Sequence, residues 1–241
     1  MIRALIIDDE YLAREELAQL LARTKRFQLV GCCGNALEAI KTIQREDPDV
    51  LFLDIEMPVV DGFELLGMID QERMPQVVFL TAYDQHALRA FEEKTLDYLV
   101  KPVDPERLQK TLAKLDKALS RGTQPNYPIP PLNRIPCQIA NRVKLIPPEE
   151  ILCVESNLSG IHIVTANGSF FTELTLRILE QKTPLVRCQK QHLVNPAKVD
   201  ELIALANGQG ELRLRGGHSV PVSRRYMKAL KGHLGLTPTE L

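Results

Sequence analysis

Short apolar runs alternate with amphipathic stretches through the first half of the chain. Residues 4–8 (ALIID), 28–33 (QLVGCC), 50–54 (VLFLD), 77–82 (VVFLTA) and 97–100 (DYLV) are strand-like, and each precedes a segment with apolar residues at helical spacing. Helices are predicted over 11–24, carrying Leu17, Leu20 and Leu21, and over 36–46, carrying Leu37, Ile40 and Ile43. Others are predicted near 62–72, near 85–92 and from Asp104 onward. The last has clear start chemistry: Asp104 can cap free amides, Pro105 fits the first helical position, and Leu108, Leu112, Leu115 and Leu119 fall on one face. Five βα units imply a doubly wound parallel sheet covered on both sides, an α/β domain whose ligands gather at the carboxyl ends of the strands.

The period changes after residue 136. Residues 137–140, 142–146, 151–156, 161–166 and 169–174 are short strand candidates, and Asn167-Gly168 carries a type I′ hairpin signal. A helix fits 174–182, followed by a strand at 185–189 and a mixed stretch over 191–206. Strands at 211–215 and 218–223 flank Gly216-Gly217, and a helix follows over 224–233. This half is mainly β and has no helix-turn-helix pair. Between the halves, Pro125, Pro128, Pro130, Pro131 and Pro136 remove backbone donors and favour extended geometry, so the expected organisation is a domain over 1–119, a semi-rigid linker over 120–135 and a domain over 136–241.

Charge sharpens that division. The chain's net charge of -1 conceals 14 Lys and Arg against 22 Asp and Glu in residues 1–116, and 16 against 9 in the remainder. The split suggests an acidic module joined to one that meets a polyanion, although such differences also arise in domain pairs without that role. No run approaches about 18 consecutive apolar residues, and Asp8-Asp9-Glu10 interrupt the N-terminal apolar run, so neither a membrane span nor a secretion signal is supported and a cytoplasmic location is expected. The five cysteines include no C-x-x-C pair and read as buried free thiols.

The chemistry gathers at the predicted strand ends. The first strand ends in Asp8-Asp9-Glu10 and the third in Asp54, neighbours in a doubly wound sheet. Carboxylates about 4 Å apart repel by roughly 4 kcal/mol per pair at an effective dielectric near 20, so they require a cation or a proton. Oxygen ligands with room for water suit Mg²⁺. Thr81 and Lys101 end the fourth and fifth strands, adding a hydroxyl and an ammonium. Such a set supports attack of a carboxylate, Asp54 by position, on a phosphoryl group.

These residues, in the order Asp8-Asp9, Asp54 with Met57-Pro58 and Asp61-Gly62, Thr81-Ala82 and Asp97-Tyr98-Leu99-Val100-Lys101-Pro102, resemble the receiver domain of two-component response regulators, with its flavodoxin-like sheet. The resemblance implies Asp8 and Asp9 as metal-site acids, Asp54 as phosphoacceptor and metal ligand, and Glu56 as the donor of a backbone carbonyl to Mg²⁺. It further implies Thr81 and Lys101 as phosphoryl ligands, Tyr98 as a switch residue moving with Thr81, and a cis Lys101–Pro102 bond.

The second half shows no catalytic constellation, so no enzymatic output is expected. Its His162, His192, His218 and His233 lack metal-ligand spacing and read as surface or packing residues, and Gly208-Gln209-Gly210 reads as a hairpin turn. Cationic and amide side chains collect around Asn157, Gln189-Lys190 and Arg224-Arg225. Arg can pair with guanine, Asn and Gln with adenine, and Lys with phosphate. The arrangement of 151–156, 185–195, 212–214 and 220–226 resembles the LytTR type of DNA-binding domain, whose stacked sheets present loops to successive major grooves. That resemblance implies DNA contacts by Asn157, Gln189, Lys190 and Arg224; Arg187 is expected instead to partner a buried acid such as Glu155. Gln189 and His192 depart from the residues frequent at those places, which bears on base preference. The expected whole is a phosphorylation-dependent transcription regulator served by a sensor histidine kinase, binding duplex DNA and forming a homodimer on phosphorylation or on DNA. A second domain that binds protein or RNA is the alternative.

Overall fold

The computed structural model describes residues 1–82, 96–122, 125, 127 and 131–236. The chain divides into two compact units, Met1–Pro130 and Pro131–Leu241. The helix expected near 85–92 and the linker residues Pro128 and Pro130 lie outside the described residues.

In the first unit, strands β1 (Ile2–Ile7), β2 (Phe27–Cys33), β3 (Val50–Asp54), β4 (Gln76–Thr81) and β5 (Asp97–Val100) form a parallel sheet in the order β2-β1-β3-β4-β5. Strands β3 and β4 are buried at every position, as expected where helices cover both faces of a sheet. Helices α1 (Tyr11–Arg23), α2 (Ala36–Glu46), α3 (Gly62–Gly67) and α4 (Pro105–Ser120) supply the described cover. Leu17 and Leu21 of α1 and Leu108, Leu112 and Leu115 of α4 join Ala4, Ile6, Val50, Phe52, Val78 and Leu80 in one core. Asp104 caps α4 through the amide of Arg107 at 2.8 Å, and Asp61 and Glu64 form a reciprocal capping box on α3.

The helix expected over 62–72 is shorter in the structure. It ends at Gly67, and Asp70 then starts a separate 3₁₀ turn over Gln71–Arg73 by accepting the Glu72 amide. Glycine lowers helix propensity and Asp competes for backbone donors outside helices, which favours the break. Beyond α4, Tyr127 is buried and its hydroxyl accepts the Val77 amide at 3.0 Å.

The second unit contains two antiparallel sheets. Strands β6 (Ile135–Ile139), β7 (Arg142–Ile146), β8 (Ile151–Asn157), β9 (Gly160–Thr165), β10 (Gly168–Thr172), β11 (Val186–Gln189) and β12 (His192–Val194) build the larger, ordered β11-β12-β8-β9-β10-β6-β7. Strands β13 (Val199–Ala204), β14 (Gly210–Leu214) and β15 (His218–Val222) build the smaller. Helices α5 (Leu176–Lys182) and α6 (Arg224–His233) complete it. Cys153, Val164, Cys188 and Val194 pack with Leu212, Leu214, Val220, Val222 and Leu230 in one core shared by the sheets and α6.

Three local expectations are refined. α5 begins at Leu176 because Thr175 caps it through the Ile178 amide. The mixed stretch over 191–206 resolves into β12, a 3₁₀ turn and β13, the turn being fixed by Asn195, which accepts the Ala197 amide and donates to the carbonyls of Pro148 and Ile151. The β9–β10 hairpin forms, but positive φ falls at Gly168 alone (+125°) and not at Asn167, so the type I′ turn is absent. The Gly208–Gly210 segment does connect the antiparallel pair β13 and β14.

Candidate functional site

The parallel sheet brings the strand-end residues together. Asp8 follows β1 and is buried, Asp54 closes β3, Thr81 closes β4, and Lys101 follows β5. Lys101 Nζ donates to Asp54 Oδ2 at 2.7 Å, and it lies 2.6 Å from Asp8 Oδ2 as an ion pair outside hydrogen-bond angles. Ligand oxygens of Asp8, Asp9 and Asp54 lie within 4.8 Å of one another. Asp9 is exposed, giving the cluster an open side.

Neighbouring backbone fixes these carboxylates. Asp8 Oδ1 accepts the Glu10 amide at 2.9 Å, its carbonyl accepts from Arg14 Nη1 at 2.6 Å, and Asp54 Oδ1 accepts the Glu56 amide at 3.2 Å. Gly62 packs so closely that a Cβ there would stand 2.3 Å from the Asp54 carbonyl oxygen. Glycine at that position is therefore part of how the Asp54 turn closes.

Electrostatics follow from this packing. Burial pushes the Asp54 carboxyl above its ordinary range, the Asp8 charge adds to this, and the Lys101 ammonium and the Glu56 amide oppose it. For Lys101, burial favours the neutral amine, but the two carboxylates outweigh it and hold the ammonium above its usual pKa. One ammonium among three carboxylates leaves local negative charge for a further cation to neutralise.

Tyr98 on β5 is half-buried, and the Lys101–Pro102 peptide is cis. Sequence reasoning missed what holds Tyr98. The Arg107 guanidinium lies 5.3 Å from its ring centroid and donates to its carbonyl at 2.9 Å, while Asp97 grips the same guanidinium through two hydrogen bonds of 2.6 and 2.7 Å. The signal available was weak: an Asp beside the aromatic and an Arg on the next helix, ten residues apart.

In the second unit, backbone hydrogen bonds gather the three polar segments. The Ser156 amide donates to the Gln191 carbonyl at 2.9 Å, joining the end of β8 to the β11–β12 turn. The Ser223 amide donates to the Cys188 carbonyl at 3.0 Å, setting the start of α6 beside β11. Asn157 and Lys190 are exposed; Asn157 Oδ1 accepts from the Ser159 amide and hydroxyl, which shapes the tip that exposes Leu158 fully. Gln189 shares a surface depression with Gln209, Ser219 and Ser223. Arg224 is exposed, but its Nε donates to the Asn207 carbonyl at 2.7 Å, which orients the guanidinium.

The expected Arg187–Glu155 pairing is corrected. Arg187 bonds Glu180 of α5 at 2.6 and 3.0 Å and the Lys190 carbonyl at 2.9 Å. Strand β12 lies between β11 and β8 in the sheet, while the Glu180 side chain lies within direct reach. Arg187 thus supports the β11–β12 turn.

No helix among the described residues is long and apolar enough to cross a membrane. The response regulator receiver domain family matches residues 4–113, and the LytTr DNA-binding domain family matches residues 141–235. An uncharacterized response regulatory protein of Vibrio cholerae is 49% identical over 98% of this chain and 99% of its own. The transcriptional regulatory protein BtsR of Escherichia coli K12 is 48% identical over 98% of this chain and 100% of its own. The crystal structure of the response regulatory domain of protein mrkE from Klebsiella pneumoniae is 33% identical, covering 50% of this chain and 99% of that one, with a TM-score of 0.44. A receiver joined to a DNA-binding domain is the architecture of a regulator and not of an enzyme. The chain belongs to the response regulators that combine a receiver domain with a LytTr DNA-binding domain.

Proposed function

We propose that this chain is a phosphorylation-dependent transcription regulator of a two-component system, with Asp54 accepting a phosphoryl group from a sensor histidine kinase. The observation that carries this reading is Lys101 Nζ held 2.7 Å from Asp54 and 2.6 Å from Asp8 at adjoining strand ends. Asp54 attacks phosphorus through a carboxylate oxygen, the bond from phosphorus to the donor's leaving atom breaks, and the product is a mixed anhydride. Lys101 and the Thr81 hydroxyl bind the oxygens of the arriving group, and Asp8 would be one of the carboxylates holding the metal.

The carboxylates of Asp8, Asp9 and Asp54 and the backbone carbonyl of Glu56 are the proposed holders of Mg²⁺, and the oxygen-only donor set fits that ion. When bound, Mg²⁺ supplies positive charge at the phosphoryl oxygens. The new phosphate adds a charge of about -1.5 to -2 beside Thr81. Thr81 moves toward it, and Tyr98, resting on Arg107, moves with Thr81 as the aromatic switch.

The output is promoter binding by the second unit, with Asn157, Gln189, Lys190 and Arg224 as its DNA contacts, in a homodimer formed on phosphorylation or on DNA. Their support is the grouping of the three polar segments by the Ser156–Gln191 and Ser223–Cys188 hydrogen bonds. Incubation with a small phosphoryl donor and Mg²⁺, followed by intact mass measurement, tests the first step. Wild type gains one phosphoryl group and Asp54→Asn gains none; normal labelling of that variant rejects the assignment. Asp9→Ala loses both reactivity and its response to Mg²⁺.

A further inference from the structure

The second unit holds a side-chain cluster that this function leaves unused. Cys153 and Glu155 lie two residues apart on β8 and therefore on one face, while His218 starts β15 in the other sheet. Glu155 Oε1 stands 4.0 Å from Cys153 Sγ and 3.6 Å from His218 Nε2, and the three donor atoms fall within 4.8 Å of one another. Cys153 is fully buried in the core between the sheets, whereas Glu155 and His218 reach the rim.

A second observation concerns the row across the larger sheet. Glu155 pairs directly with His192 on β12 and with His162 on β9, and directly paired residues present their side chains to the same face. The Nδ1 atoms of both histidines are buried and have no hydrogen-bond partner among the described residues. A surface His–Glu contact accounts for His218 and Glu155. It does not account for a thiol within the same small sphere.

The donor chemistry selects the ion. A thiol is a poor ligand for Mg²⁺ or Ca²⁺, and a mixture of sulfur, nitrogen and carboxylate oxygen suits Zn²⁺. With zinc bonds of about 2.0–2.3 Å in a tetrahedron, ligand atoms of one ion stand about 3.3–3.7 Å apart. Two of the three separations, 3.6 and 4.0 Å, need little or no contraction, and the third lies within 4.8 Å. Chain spacing gives no hint of this arrangement, because His218 reaches the other two residues only through the stacking of two sheets.

We propose that Cys153, Glu155 and His218 form a Zn²⁺ site, with water in the fourth position, that ties β8 to β15. On coordination Cys153 releases its thiol proton to solvent and donates a sulfur lone pair to the metal; nothing is oxidised. The site fastens the strand that leads into the Asn157 loop to the strand that leads into α6.

The test uses the full chain after chelator treatment, titrated with Co²⁺ and then Zn²⁺. One equivalent of Co²⁺ is expected to give a near-ultraviolet thiolate-to-cobalt band that Zn²⁺ bleaches. Cys153→Ser is expected to abolish the band, and His218→Ala, at a half-exposed strand end, to weaken Co²⁺ binding by about tenfold or more. Asp9→Ala keeps the band, since the oxygen-only cluster of the first unit cannot produce it. Absence of the band in wild type, its survival in Cys153→Ser, or unchanged affinity in His218→Ala overturns the proposal. If Cys153→Ser fails to fold, His218→Ala decides.

Discussion

Asp97 shows how one buried charge can organise a neighbourhood. Burial alone would raise its pKa, but Arg107, Thr111 and Lys114 outweigh that effect and bring the carboxyl to about 2, below its ordinary 3.8. A depressed carboxylate pKa stabilises the fold above the unfolded value and ceases to do so as pH falls through the folded value. The contribution, about 2 kcal/mol, is therefore complete above pH 5 and lost between about pH 4 and pH 2. Asp97→Asn is expected to lower stability by about 2 kcal/mol at pH 7 and to flatten acid unfolding in that window, as read by denaturant melts at several pH values. An unchanged pH profile would show that Arg107 and Lys114 are not held by this carboxylate. Since Arg107 also supports Tyr98, the variant should broaden the Tyr98 ring resonances as well.

At the scale of elements, Gly62 connects helix α3 to the turn that follows Asp54. An added methyl would meet the Asp54 carbonyl oxygen at 2.3 Å, so backbone must move and Asp54 moves with it. Gly62→Ala is expected to cost about 1–3 kcal/mol and to slow phosphorylation more than Mg²⁺ binding, measured by mass spectrometry and metal titration. Much of this unit was legible in the sequence because apolar runs and helical spacing alternate cleanly and the carboxylates, hydroxyl and ammonium fall at strand ends. The early end of α3 was less legible, since the apolar pattern continues past Gly67 while Asp70 caps a new turn. The second unit was harder for a different reason. The partners of Arg224 and Glu155, Asn207 and His218, come from elements distant in sequence, and Arg187 meets Glu180, seven residues back, only because a helix and a strand fold against each other, so no local periodicity encodes those meetings. Cross-strand register, which places His192 of β12 beside Glu155 of β8, is likewise absent from any single window.

The proposed interface also separates two kinds of contact at this scale. Arg224 is oriented by the Asn207 carbonyl, and a pre-set planar guanidinium suits a guanine edge. Arg224→Ala is expected to cost about 1–3 kcal/mol on the specific duplex and to relax preference at one base pair. Lys190 is exposed on the β11–β12 turn, which Arg187 braces through the Lys190 carbonyl. Lys190→Ala is expected to weaken matched and mismatched duplexes equally and to reduce the salt slope by about 1. Binding curves over a salt series distinguish the two, and no change in either variant places the DNA face elsewhere.

For the whole molecule, the sign of charge separates the two functions: residues 1–116 are acidic and the remainder is basic. The acidic half alone gains nothing from a polyanion, so in the proposed function phosphorylation acts on DNA affinity through association or domain coupling and not through the charge it adds. One small DNA-binding unit reads a short site, and pairing two receivers makes the second binding event intramolecular. When a tether can span both sites, avidity rises by as much as about 10² to 10⁴. Phosphorylated wild type is therefore expected to sediment as a dimer and to bind a tandem-site duplex at least tenfold more tightly than a single-site duplex, about 1.4 kcal/mol or more. Asp54→Asn should lack that advantage while keeping the single-site affinity. A monomer under both conditions on tandem sites rejects the coupling, and an equal tandem advantage in Asp54→Asn moves the origin of dimerisation from the phosphorylated receiver to the DNA-binding unit.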